Sequence, residues 1–176
     1  EKVEEVLTKN ISIIGEHLSI RRIRSLQGSH VSMYMHNAVS PNMGKIGVLV
    51  SLSGESKDFG KQVAMHIAAT NPRSLSEKDL DPALIERERS ILTDQAKESG
   101  KPDNIIENMV KGRLKKYLEE VTLLNQKFVI NPDQTVAEAA KNSNVEILDF
   151  IRLEVGEGIE KKEEDFASEV EKTING

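Results

Sequence analysis

The side chains best suited to move a proton or hold a metal are the four histidines, at 17, 30, 36 and 66. An imidazole titrates near neutrality and binds metals through a neutral ring nitrogen. A helical zinc pair needs the spacing H-E-x-x-H, and no two of these histidines have it. His66 lies between Met65 and Ile67 in a helical apolar pattern, which reads as a hydrogen-bonded structural histidine rather than a base or ligand. His36 ends a strand pattern just before a turn. Exposure is expected there, with contact to a partner and no role at all as equal alternatives. Phosphate binding fares worse. Five residues rather than four intervene between Gly54 and Gly60-Lys61, and Gln62 stands where a Ser or Thr would hold magnesium. Gly156-Glu157-Gly158 lacks the third glycine of a dinucleotide turn and follows a strand pattern rather than opening a βαβ unit. Arg21, Arg22 and Arg24 could form a basic patch, but strand charges paired with acidic neighbours explain them more simply. The 29 carboxylates show no spacing that singles out an acid–base pair.

Composition narrows the classes further. The 176 residues contain no cysteine and no tryptophan, with two Tyr and four Phe. A disulfide scaffold, a thiolate zinc site and a cysteine nucleophile are excluded. A formal net charge of −5 argues against nucleic acid as a direct partner, because phosphate binding needs a basic surface. The longest strongly apolar stretch is 46–52, far short of the roughly 20 residues a spanning helix needs. No membrane contact, metal or cofactor is expected. Position 1 is Glu rather than Met, and the acidic start has no signal-peptide pattern. The chain therefore reads as processed or truncated, with the cytoplasm as its compartment.

These residues must be carried by a small set of elements. Val3, Val6, Leu7 and Ile11 share one helical face, and Gly15 is a helix stop. A strand is expected over 19–26. Val31, Met33 and Met35 alternate in a second, with a turn-forming break over 37–44. Ile46, Val48, Val50 and Leu52 alternate in a third. Ser56 can cap a helix reaching about Thr70, with Phe59, Val63 and Ile67 inward, and Asn71-Pro72 ends it. Residues 76–120 differ, with 20 of 45 charged and Tyr117 the only aromatic. Leu84/Ile91 and Ile85/Leu92 are seven apart. After the break at 99–102, Ile106, Val110, Leu114, Tyr117 and Val121 form a second stripe. The pattern predicts an antiparallel helical hairpin, a coiled-coil arm reaching into solvent, whose seam could also form a homodimer. A short strand over 127–130 follows, closed by Asn131-Pro132. Asp133 then caps a helix holding Val136, Ala139 and Ala140. A long strand carries Val145, Ile147, Ile151, Leu153 and Val155 on one face. Residues 159–176 read as a further helix. The fold class is α+β: a small antiparallel sheet packed with helices, bearing a projecting helical hairpin.

Several blocks together resemble the translation elongation factor Ts family. They are 45–50 (K-I-G-V-L-V), 64–69 (A-M-H-I-A-A) with Asn71-Pro72, 99–102 (S-G-K-P), 109–116 (M-V-K-G-R-L-K-K) and 152–160 (R-L-E-V-G-E-G-I-E). They occur in the family's order, and the resemblance extends over essentially the whole chain. It implies a guanine-nucleotide exchange factor. Such a factor binds elongation factor Tu, distorts its nucleotide and magnesium site and speeds GDP release, with no covalent chemistry and no enzymatic activity of its own. It also implies an anatomy: 1–15 as the end helix of a first core half, 16–75 with 121–158 as the second half, 76–120 as a coiled-coil insertion and 159–176 as a C-terminal module. Matching contact positions are Ile14 and Gly15, His36, and the apolar pair Val129-Ile130. The loop after His36 is longer than the family pattern. The family's Thr-Asp-Phe-Val motif, whose Asp-Phe wedge disturbs the nucleotide site, occurs nowhere in this sequence. The expectation is a C-terminal fragment with weak or no exchange activity, and the alternative is a self-association module acting through the arm.

Overall fold

A computed structural model describes residues 1–159, so the helix expected over 159–176 lies, but for its first residue, outside the described residues. The chain runs α1 (Val3–Ile14), β1 (His30–Ser40), β2 (Met43–Leu52), α2 (Lys57–Thr70), α3 (Pro82–Lys97), α4 (Asp103–Val121), β3 (Lys127–Phe128), β4 (Asn131–Thr135), α5 (Val136–Asn142) and β5 (Ile147–Glu154). The fold is α+β, with a three-stranded antiparallel sheet in the order β1-β2-β5 and a two-stranded antiparallel hairpin, β3-β4.

Alternation in β2 decides where the core lies. Ile46, Val48, Val50 and Leu52 point to one face, where α2 covers them with Phe59, Val63, Ala64, Ile67 and Ala68. Full burial of a side chain such as Val50 or Leu52 stabilises the fold by about 1.5–3 kcal/mol. The two alanines let α2 lie close to the sheet. Leu123, Phe128, Val136, Ala139, Ala140, Val145 and Ile147 close the same cluster from the turn after α4, the hairpin, α5 and the approach to β5. On the opposite sheet face Val31 and Met33 are exposed, and Leu49, Ile151 and Leu153 are half-buried.

Residues 82–121 form a second apolar cluster of their own. Leu92 and Ala96 of α3 meet Ile106, Val110 and Leu114 of α4, flanked by Ile85, Tyr117 and Leu118. The two helices are joined by residues 98–102. Asp81 caps α3 by accepting a hydrogen bond from the Ala83 N–H at 2.9 Å, with Pro82 in the first turn. The chain leaves and re-enters the body at one point. Ser74 and Thr122 form an isolated parallel bridge, and Leu123 N–H and Leu124 N–H donate to the carbonyls of Ser74 and Leu75.

Four local expectations are corrected. Residues 19–26 form no strand; Arg21 and Arg22 instead reach the end of β5 and the turn after it, at Glu154 and Glu157. The break over 37–44 narrows to Pro41-Asn42, because β1 and β2 pair continuously around it with one irregularity between Ala38 and Ser40. Asn131-Pro132 opens β4 rather than closing a strand, so the turn falls on Val129-Ile130. The cap of α5 is Thr135, not Asp133. Its hydroxyl accepts from the Glu138 N–H at 3.2 Å while the Glu138 carboxylate accepts from the Thr135 N–H at 2.7 Å, a reciprocal pair that outcompetes a lone Asp.

The stripe of β5 is also split. Ile147 pairs with Leu52 and Asp149 with Ser51, so Leu148 is an extra residue in the ladder. Such a bulge reverses which residues face the core. Beyond it Phe150, Arg152 and Glu154 lie opposite Val50, Val48 and Ile46, while Ile151 and Leu153 turn to the other face.

Candidate partner-binding site

The residues expected to meet a partner occupy three places. Ile14 ends α1 and is 55% exposed. Gly15 caps that helix at φ 78, in the left-handed region that favours glycine, and its N–H donates to the Ile11 carbonyl at 2.9 Å. His36 is exposed on β1, with its Nδ1 3.2 Å from the Tyr34 hydroxyl. Asn37 beside it is left-handed at φ 49. A Cβ on the facing Gly44 would come within 2.8 Å of the His36 carbonyl oxygen, so only glycine lets β2 pass this kink. Val129 and Ile130 are 45% and 48% exposed at the tip of the β3-β4 hairpin. Among the described residues, no hydrogen bond or ion pair links one place to another.

The hairpin tip departs from ordinary turn chemistry. Two-residue hairpin loops favour Asn, Asp and Gly because one or both central residues adopt positive φ. Val129 and Ile130 are β-branched, and neither has positive φ. Support comes from beneath. Phe128 is buried with its ring centroid 6.0 Å from Phe59 and 5.7 Å from His66. The Val129 N–H donates to His66 Nδ1 at 3.3 Å.

His66 is 0% exposed and sits in a chain of hydrogen bonds whose direction can be followed. The side-chain amide nitrogen of Gln126 donates to the Glu120 carbonyl at 2.7 Å, satisfying an orphan acceptor in the last turn of α4. That fixes Gln126 Oε1 toward His66 Nε2, 2.8 Å away, and it also accepts from the Thr70 hydroxyl at 2.9 Å. Nε2 must therefore carry the proton, which leaves Nδ1 bare to accept from Val129. Burial pushes the imidazole below its ordinary pKa, and the hydrogen bond to Gln126 opposes this only in part. The ring is neutral and structural, as its place among apolar neighbours implied.

A second polar group ties the 16–29 segment to β5. Arg152 has a side chain 8% exposed, 2.8 Å from Glu154 and 3.6 Å from Glu157. Arg22 meets Glu157 at 2.7 Å, and Arg21 donates to the Glu157 carbonyl at 2.8 Å. The Arg152 hydrogen bond holds the Glu154 carboxyl below its ordinary pKa. The paired reading of Arg21 and Arg22 therefore holds without the strand. Gln126 and Thr70 had no signal in the sequence, since Gln126 lies 60 residues from His66 and 56 from Thr70. No three His, Asp or Glu among the described residues could hold a metal ion, and no helix there is long and apolar enough to cross a membrane.

The surface thus offers exposed apolar side chains on a hairpin tip and a helix end, with no metal-holding cluster among the described residues. Comparison with known proteins agrees with the blocks noted above. The family described as Elongation factor TS matches residues 1–157. Elongation factor Ts of Paracoccus denitrificans is 60% identical over 177 residues, which cover 99% of this chain and 60% of the relative. The Dinoroseobacter shibae protein of that name is 60% identical over 174 residues, and that of Jannaschia sp. 54% over 176. The chain spans about 60% of the length of these relatives. With a match running from the first residue through the end of β5 and the turn after it, the chain belongs to the elongation factor Ts family.

Proposed function

We propose that this chain binds elongation factor Tu and serves guanine-nucleotide exchange on it, in the cytoplasm, by contact and not by covalent chemistry. The carrying observation is the Val129-Ile130 tip: two apolar β-branched residues held out to solvent at a turn whose geometry does not call for them. Apolar side chains fixed in place make good anchors at a protein interface. Ile14 with Gly15, and His36, form the other contact places. In this reading 16–75 and 121–158 make the Tu-binding body, 76–120 is an inserted arm, 1–15 is the end helix of another core half, and 159–176 is a terminal module.

Exchange requires a factor to bind the nucleotide-free state of its partner better than the loaded state. The sequence contains no Thr-Asp-Phe wedge, so the 176-residue chain alone should bind but exchange weakly. Mixing it with Tu carrying fluorescent GDP tests this. Slow release, with binding visible in a pull-down, is the expected result. Release as fast as that given by a full-length factor would overturn the weak-exchange reading, and no binding at all would overturn the partner.

A second reading is self-association through the arm. Ile91 and Ile105 are exposed beside the seam, although the seam residues Leu92, Ile106, Val110 and Leu114 are already buried against one another, which favours the first reading. Sedimentation equilibrium at high concentration should give a monomer. A dimer abolished by charges at Ile91 and Ile105 would favour the arm.

A further inference from the structure

We infer that His66 is a positioning residue for the partner surface: its bare Nδ1 fixes the Val129-Ile130 tip in the conformation that presents both side chains. This rests on the proposed role of that tip in binding. Three observations carry it. The tip lacks the residues that would make its turn stable by itself, since β-branched side chains stand where Asn or Gly is favoured. The strand before it is only two residues long, and its pairing slips between Lys127 and Phe128, so the ladder alone supports the tip poorly. The tip amide of Val129 instead donates to a fully buried ring on α2, 63 residues away in sequence.

The chemistry of that ring is set from the arm. The Glu120 carbonyl can only accept, so Gln126 presents its oxygen to His66 and pins the tautomer with the proton on Nε2. The opposite tautomer, or the imidazolium, would place an N–H against the Val129 N–H and break the contact. A part-buried backbone donor left without an acceptor is unfavourable, so the tip would swing to find one. His66 therefore acts at a distance from the partner, through the backbone that carries Val129 and Ile130.

The test uses the 176-residue chain with His66→Leu and His66→Asn. Leucine fills the space but offers no acceptor. Asparagine places its amide oxygen near the position of Nδ1. Hydrogen exchange at the Val129 amide should quicken at least tenfold in His66→Leu and stay within threefold of the parent in His66→Asn. Affinity for nucleotide-free elongation factor Tu should follow the same order. Equal exchange in all three proteins, or equally fast exchange in both variants, would overturn the inference. Should His66→Leu fail to fold, nitrogen NMR of the parent decides: an unprotonated Nδ1 with a protonated Nε2 is expected, and the reverse sinks the idea. A Val129→Ser/Ile130→Ser double variant that binds Tu like the parent would refute the tip as a contact, while the exchange measurement would still report on the positioning.

Discussion

The hairpin tip and the end of α1 expose similar apolar surface and are held in opposite ways. Val129 and Ile130 stand on a buried ring, Phe128, and on a polar chain that runs through His66 and Gln126 to the last turn of α4. Ile14 and Gly15 stand on the backbone hydrogen bonds of a helix with no buried residue. The tip thus shares the stability of the core, whereas α1 can open locally at small cost. Two surfaces proposed to meet one partner can differ in rigidity, and their fixity is set by what lies beneath and not by their own sequence.

Each perturbation below should separate the two places. Phe128→Ala should be the most damaging, at about 3–5 kcal/mol in urea unfolding, because it empties a site packed by Phe59 and His66. Gln126→Leu should cost about 1–3 kcal/mol by stranding the Glu120 carbonyl and freeing the His66 tautomer, and it should leave the exchange rates of α1 amides unchanged. Acidification should act on the same side. The folded state lowers the His66 pKa, so the unfolded chain takes up its proton first. Stability is complete above the unfolded value near 6.5 and falls as pH drops below it, by at most about 1.4 kcal/mol per pH unit from this group. Its contacts Gln126, Thr70, Phe128 and the Val129 amide carry no charge to mask the effect. His66→Asn should flatten that slope in pH-dependent melts.

Gly15→Ala should cost about 1 kcal/mol through its left-handed cap, and the loss should appear as fraying of α1 with the midpoint of the body unmoved. The smallest effect on stability, within about 0.5 kcal/mol, is expected for Ile14→Ala at its exposed position. That variant should still weaken binding to Tu severalfold, measured by titration. A stability loss equal to that of Phe128→Ala would erase the contrast between the two places.

Much of the fold was legible because its signals are local. The alternation of β2, the stripe of α2 and the seams of α3 and α4 depend only on spacing within each element. The α1 stop at Gly15 and the structural character of His66 were readable for the same reason. The remainder depended on distant partners. The segment at 19–26 has a strand-like pattern but finds no ladder; Arg21 and Arg22 reach Glu157 and the Glu154 carbonyl instead. The cap of α5 is a local exception: the reciprocal bond between Thr135 and Glu138, three residues apart, prevails over the nearby Asp133. For the proposed contact places, resemblance supplied the positions, and packing supplied the reason that Val129 and Ile130 sit at a turn. No local pattern marks Gln126, whose role comes from a carbonyl on one side and a ring on the other.

The extra residue at Leu148 makes β5 a message written in two frames. Before it, odd positions face the core; after it, even positions do. One inserted side chain thereby lets an arginine and a glutamate stand beside the valines of the same sheet face, where Arg152 gathers Glu154, Glu157 and, through Glu157, Arg22. Were Leu148 paired with Ser51 in an unbroken ladder, the reading would shift by one. Ile151 and Leu153 would take the places of Arg152 and Glu154 opposite Val48 and Ile46, and the knot that fastens residues 21 and 22 to the sheet would come undone without any change in its own residues.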